Sequence, residues 1–137
     1  MSGNAREIVV DFCAAFERRN STDLLAYMAQ DIVYENVPLP AMRGIDAAAS
    51  FLIPLLAKAS KIEFKILNIA VSGSGEQVLT ERLDRIHFST GTVDIPLMGI
   101  FVVREGKIVE WRDYADNQAV FAAFTEAKVD LAELGIS

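Results

Sequence analysis

Two carboxylates and one guanidinium fall where side chains should point into the protein rather than out of it. In Gln77–Phe88 every second residue reads Val78, Thr80, Arg82, Asp84, Ile86, Phe88, a face apolar at both ends with opposite charges in its middle. In Lys107–Ala115 the face Val109, Trp111, Asp113, Ala115 sets an acid beside the only tryptophan. In Asp31–Val37, Tyr34 and Asn36 share a face with Ile32. Residues i, i+2 and i+4 of a strand lie on one side of a sheet. If these faces line the concave side of one sheet, two carboxylates, a guanidinium, a phenol and an amide meet in an apolar cavity. Charges removed from water need partners or must neutralise. Two carboxylates around one arginine can hold protons unequally, one neutral and one ionised. That suits concerted acid and base work on a neutral substrate. An Asp–Arg–Asp network that merely satisfies itself is the other reading, although buried ion networks are weak evidence for stability.

The elements that must position these residues come mostly late in the chain. Ile62–Ser72, Gln77–Phe88, Thr92–Arg104 and Lys107–Ala115 read as strands, separated by turn residues at Ser72–Gly75, Ser89–Gly91 and Arg104–Lys107. Short turns between consecutive strands imply an antiparallel meander. Asp31–Val37 alternates as an earlier strand, and Pro38-Leu39-Pro40 forces an extended loop after it. Asn4 with Glu7 resembles a capping box. Ile8, Val9, Phe12, Cys13 and Phe16 then repeat at helical spacing, predicting a helix from about Ala5 to Arg19. Asn20 or Ser21 caps a second, short helix carrying Leu24, Leu25 and Met28.

A third helix starts after Gly44, at Asp46, with Leu52, Leu55 and Leu56 inward. Pro54 inside it predicts a kink or restart near Phe51–Pro54, because proline removes a donor and costs ~3 kcal/mol in a regular helix. Asn117 opens a last helix with Val120, Phe121 and Phe124, and the apolar tail residues Val129, Leu131, Leu134 and Ile136 predict that the tail docks. The order α-α-β-α-β-β-β-β-α argues for an α+β fold with helices on one face of a curved sheet. Residues from Ile95 to Val102 are apolar on both strand faces, which fits either a central core position or a second subunit covering one side.

Composition narrows the chemistry. The 137 residues make one domain, 1–137. With 13 basic and 19 acidic residues the net charge is −6, and no basic stripe invites nucleic acid. No apolar run approaches the ~20 residues of a membrane span. The first residues carry no apolar signal-peptide core, and one cysteine allows no intrachain disulfide, so a cytoplasmic location is expected. Cys13 sits in a helical apolar stripe and reads as a small buried hydrophobe. His87 is the only histidine, which excludes a histidine metal cluster, and parity puts it on the outer face. Ser72-Gly73-Ser74-Gly75 lies between strands with no following helix and reads as a turn, not a phosphate loop. No metal and no cofactor are expected, and the chemistry falls to carboxylates.

Three motifs in order carry a resemblance: Tyr34-Glu35-Asn36-Val37-Pro38-Leu39-Pro40, Thr80-Glu81-Arg82-Leu83-Asp84 and Trp111-Arg112-Asp113-Tyr114. Gly99-Ile100-Phe101 and Glu105-Gly106-Lys107-Ile108 stand between the last two. Together they resemble the limonene-1,2-epoxide hydrolase family over about Asp31 to Phe124. The resemblance implies a cone built from a curved mixed, mainly antiparallel sheet around a pocket, with three to four helices on one face. This fold is shared with nuclear transport factor 2 and ketosteroid isomerase, and the family is usually homodimeric. It also implies hydrolysis of a small lipophilic epoxide to a vicinal diol by direct attack of water. Carried over, Asp113 resembles the general base, Tyr34 and Asn36 the groups that hold the water, Asp84 the general acid, and Arg82 the bridge between the carboxylates. Ile86, Ile95 and Leu97 are expected in the pocket wall and are equally consistent with ordinary core. Two other functions fit the same cone: an isomerase or cyclase using an Asp base, and a non-catalytic ligand-binding dimerisation module.

Overall fold

The computed structural model describes residues 4–135. Helix α1 (Ala5–Arg18) begins where the Asn4 side chain accepts from the Glu7 N–H at 2.9 Å, and it ends where Arg19 turns left-handed with φ of 51°. Helix α2 (Ser21–Leu25) is capped in the same way, Asn20 accepting from the Asp23 N–H at 3.0 Å. Met28 does not belong to this helix. It opens strand β1 (Met28–Val37), and its backbone pairs in register with Ile108 of a distant strand. The spacing Leu24, Leu25, Met28 is helical, but that non-local pairing prevails over it.

A two-residue strand β2 (Met42–Arg43) returns along β1, and helix α3 (Ile45–Lys58) follows from Gly44. The helix runs through Pro54 without the expected restart. Proline there forgoes one helical bond, to the Ser50 carbonyl. Ala48, Leu52, Leu55 and Leu56 are buried along the helix, so the packed face holds it together across that gap.

Strands β3 (Lys61–Val71), β4 (Gln77–Phe88), β5 (Gly91–Arg104) and β6 (Lys107–Ala115) form the meander, followed by helix α4 (Asn117–Glu126) and a 3₁₀ turn (Leu131–Leu134). The spatial order is β2-β1-β6-β5-β4-β3. All pairings are antiparallel except β1 with β6, which is parallel and makes the sheet mixed. The helices cover the concave face, giving the α+β cone. There Phe12 meets the fully buried Trp111 edge-on, with ring centroids 5.1 Å apart, and Phe16 stacks on Phe64 at 3.9 Å. Such pairs contribute ~0.5–1.5 kcal/mol beyond area burial. The tail docks as its apolar residues suggest: Leu134 is fully buried and Glu133 pairs with Lys58 of α3. Ile136 lies outside the described residues. No described helix is long and apolar enough to cross a membrane.

Candidate active site

Sheet register brings the charged residues together. On the concave face Thr80, Gly99, Asp113 and Asn36 occupy one row across β4, β5, β6 and β1. The next row holds Val78, Phe101, Trp111 and Tyr34, and on the other side Arg82 faces Leu97, which faces Ala115. Asp84 pairs with Ile95. Residues from strands far apart in sequence thus converge beneath the helices.

Arg82 is the hub. Its Nε donates to Asp84 Oδ1 at 3.0 Å and its Nη2 to Asp84 Oδ2 at 2.9 Å, a bidentate fork. The same Nη2 donates to Asp113 Oδ2 at 2.9 Å, and Nη1 donates to Thr80 Oγ1 at 3.1 Å. The guanidinium carbon lies 5.0 Å from the centre of the Phe64 ring and 5.5 Å from that of Phe101. Arg82 is 1% exposed, Asp84 4% and Asp113 5%, so these are buried charges whose partners are each other. The remaining oxygen of Asp113 accepts from Trp111 Nε1 at 2.8 Å. Tyr34 lies flat on Trp111, with centroids 4.0 Å apart and planes 12° from parallel, two residues before Asn36 on the same strand face.

Burial sets the protonation pattern. Asp84 is pushed up to about 6, first by loss of water, against the pull of Arg82 and with added repulsion from Asp113. Burial opposes the charge on Arg82, but the two carboxylates outweigh it and hold the guanidinium protonated. Burial, then the Asp113 charge, raises the Tyr34 hydroxyl far beyond its ordinary range and keeps it neutral. Cys13, behind the cluster on α1, is pushed up to about 12 by burial and is an inert thiol.

Above Asp84 and Asp113 opens a narrow, mostly apolar pocket. Tyr34, Asn36, Asp84, Asp113 and Asn117 supply its polar groups, and the rest of its wall is apolar. Ile86, Ile95 and Leu97 all line it, so the residues expected as wall stand beside the carboxylates. His87 lies away from it, near Glu63 and Thr92. Reading the residues singly misses Thr80 and the Trp111 N–H as partners of the charged cluster. It also misses the cover formed by Val120, Phe121 and Phe124 of α4 with Leu131. The signals were present, a hydroxyl and an indole on the inward faces and an apolar stripe on the last helix, but only the register joins them.

A helix-covered cone of mixed sheet with ionisable groups at the base of an apolar pocket defines a domain of the nuclear transport factor 2 and ketosteroid isomerase fold. A solved protein with ketosteroid isomerase-like fold from Catenulispora acidiphila, in complex with trimethylamine, superposes with a TM-score of 0.74 at 19% identity, covering 96% of this chain and 97% of that one. Within this fold the chain belongs to the limonene-1,2-epoxide hydrolase family, whose catalytic-domain model matches residues 3–126, and it is an enzyme of the epoxide hydrolase-like kind. It is 32% identical over 120 residues to epoxide hydrolase EphG of Mycobacterium tuberculosis, spanning 88% of this chain and 78% of that protein. A solved LEH-like epoxide hydrolase from M. tuberculosis matches with a TM-score of 0.76 and 31% identity, over 91% of this chain and 92% of that one.

Proposed function

We propose that this protein opens a small lipophilic epoxide to a vicinal diol by one-step attack of water. The observation that carries this reading is the Arg82 fork joining Asp84 and Asp113 beneath an apolar pocket, with Tyr34 and Asn36 beside Asp113. Asp113 takes a proton from water as the water oxygen bonds to one epoxide carbon. The C–O bond breaks, and Asp84 gives its proton to the departing oxygen, so no free alkoxide forms. Tyr34 and Asn36 hold the water, the phenol staying neutral and able to donate. One proton then returns from Asp113 to Asp84 to restore the resting site. General acid and base assistance contribute ~10²–10⁴-fold each in typical cases. Arg82 serves both carboxylates through its planar fork, which lysine cannot match. Apolar walls at Ile86, Ile95 and Leu97 suit a compact hydrocarbon skeleton.

The protein acts as a homodimer in this reading. Leu67, Met98 and Tyr114 are 57%, 50% and 49% exposed, with Leu79 at 39%, on the sheet strands away from the helices. Contiguous apolar exposure of this kind marks an interaction surface. A cytoplasmic setting suits the single buried thiol.

The test is turnover of limonene-1,2-epoxide, cyclohexene oxide, styrene oxide and a steroid epoxide in ¹⁸O-labelled water. Label in one hydroxyl of a diol is expected, and Asp113→Asn should abolish diol formation while leaving the circular dichroism spectrum unchanged. An isomerised or cyclised product without label would replace hydrolysis by rearrangement. Undiminished turnover by Asp113→Asn would remove Asp113 from the mechanism.

A further inference from the structure

Beside the five residues assigned roles lies a sixth polar group with no room for chance contacts. Thr80 is fully buried, and its hydroxyl has one proton and two lone pairs. The proton goes to the Gly99 carbonyl at 3.2 Å, across the β4–β5 pair. The hydroxyl is thereby turned so that it presents only lone pairs to Arg82 Nη1, 3.1 Å away. The guanidinium is pinned along every edge: Nε and Nη2 on Asp84, Nη2 on Asp113, Nη1 on Thr80. A planar group held at three corners cannot pivot. Released from Thr80, it is free to turn about its Nη2 corner, which draws Nε away from Asp84 Oδ1 and loosens the bidentate grip on Asp84.

Gly99 completes the device. Its backbone is not left-handed, so conformational freedom does not explain a glycine there. Space does: a methyl group on its Cα would overlap both Arg82 Nη1 and Asp113 Oδ1 and press on Thr80 Oγ1 at 3.3 Å. Gly99 sits between Thr80 and Asp113 in their row, and its missing side chain is the notch through which arginine and aspartate meet.

We infer that Thr80 is a positioning residue that sets the angle of the Arg82 fork, and that Gly99 is the notch that angle requires. The inference rests on the proposed Asp84–Arg82–Asp113 mechanism. The ionisable groups around the fork are Asp84 on its own strand, Asp113 from β6, Tyr34 from β1 and Cys13 from α1. Of these, Asp84 reports the fork most directly, because both Arg82 contacts to it favour its charged form.

Thr80→Val keeps the shape and removes the acceptor, and Thr80→Ser restores the hydroxyl. Turnover of cyclohexene oxide and the Asp84 titration, followed by carboxyl ¹³C NMR, are measured in both. Loss of one charge-assisted hydrogen bond predicts a fall in kcat of about 10- to 100-fold with KM nearly unchanged. Asp84 should titrate about half a pH unit or more higher. Thr80→Ser should recover both, and Gly99→Ala should reproduce the Thr80→Val changes. If Thr80→Val does not fold, Thr80→Cys, with its weak acceptor, carries the same expectation. Wild-type kcat and an unmoved Asp84 titration in Thr80→Val overturn the inference, as does a loss of rate with no titration shift and no recovery in Thr80→Ser. Asp113→Asn separates this from the mechanism itself. If that variant keeps its turnover the mechanism fails, and the NMR titration alone still decides whether Thr80 sets the fork.

Discussion

The sharpest prediction concerns the proton on Asp84. The proposed acid works only when protonated, and burial holds it protonated up to about 6. Because kcat/KM reports the free enzyme, it should fall on the alkaline side with that group, by about fiftyfold between pH 6 and pH 8. The same titration appears in stability. Asp84 ordinarily ionises near 3.8 and in the folded protein near 6, so folding favours its protonated form. The sign follows: its stabilising contribution is complete below about pH 4 and is lost as pH rises through about 6. The shift is worth roughly 3 kcal/mol, as an order of magnitude. Urea unfolding of the wild type and Asp84→Asn at pH 4 and pH 7 isolates this term, because other titrating groups are common to both. Relative to the variant, the wild type should lose stability by roughly that amount between the two pH values, while Asp84→Asn makes no diol at either. A flat kcat/KM from pH 6 to pH 8, or stability curves that stay parallel, would refute the assignment of Asp84 as a buried acid.

Trp111→Phe removes the indole donor on Asp113 Oδ1, a hydrogen bond to a buried carboxylate worth ~1.5–3 kcal/mol, so urea unfolding should show at least that loss and kcat should drop. Phe121→Ala opens the α4 side of the pocket, and the ratio of kcat/KM for a steroid epoxide to that for cyclohexene oxide should rise. Met98→Glu sets a charge in the exposed outer face, and sedimentation should find a monomer that still hydrolyses the epoxide at a reduced rate or not at all; an unchanged dimer would move the interface elsewhere.

Much of the site was legible because β4 pairs with β5 without a shift and β6 keeps its alternation from Trp111 to Ala115; a bulge at Val109 turns Ile108 inward against the expected parity but leaves Asp113 on its face. Over such stretches parity alone decides which residues look inward, and Arg82, Asp84 and Asp113 could be sorted without knowing any partner. Caps at Asn4 and Asn20 were readable for a similar reason, since each acts within three residues of itself. What depends on pairing between strands was not. Met28 fitted a helix until β6 claimed it, and β2 is too short to carry any period. The Thr80–Gly99–Asp113 row exists only through the register of three strands, so the roles of the hydroxyl and the notch were hidden in plain residue types. At Pro54 the local cost was visible, and the burial that carries the helix through without a restart was not.

The pocket has a floor and a cover of different origin. Its ionisable groups stand on hydrogen-bonded strands, whereas α3, α4 and the 3₁₀ turn roof it with Leu55, Phe121 and Leu131. A change in the roof alters what fits without moving an atom of the charged cluster, and a slip of one residue in β6 would turn Asp113 to the other face while leaving the roof intact. Chemistry and selectivity are therefore separately heritable here. A lineage, or an engineer, can exchange the last helix to reach a new skeleton, provided the sheet beneath keeps its count.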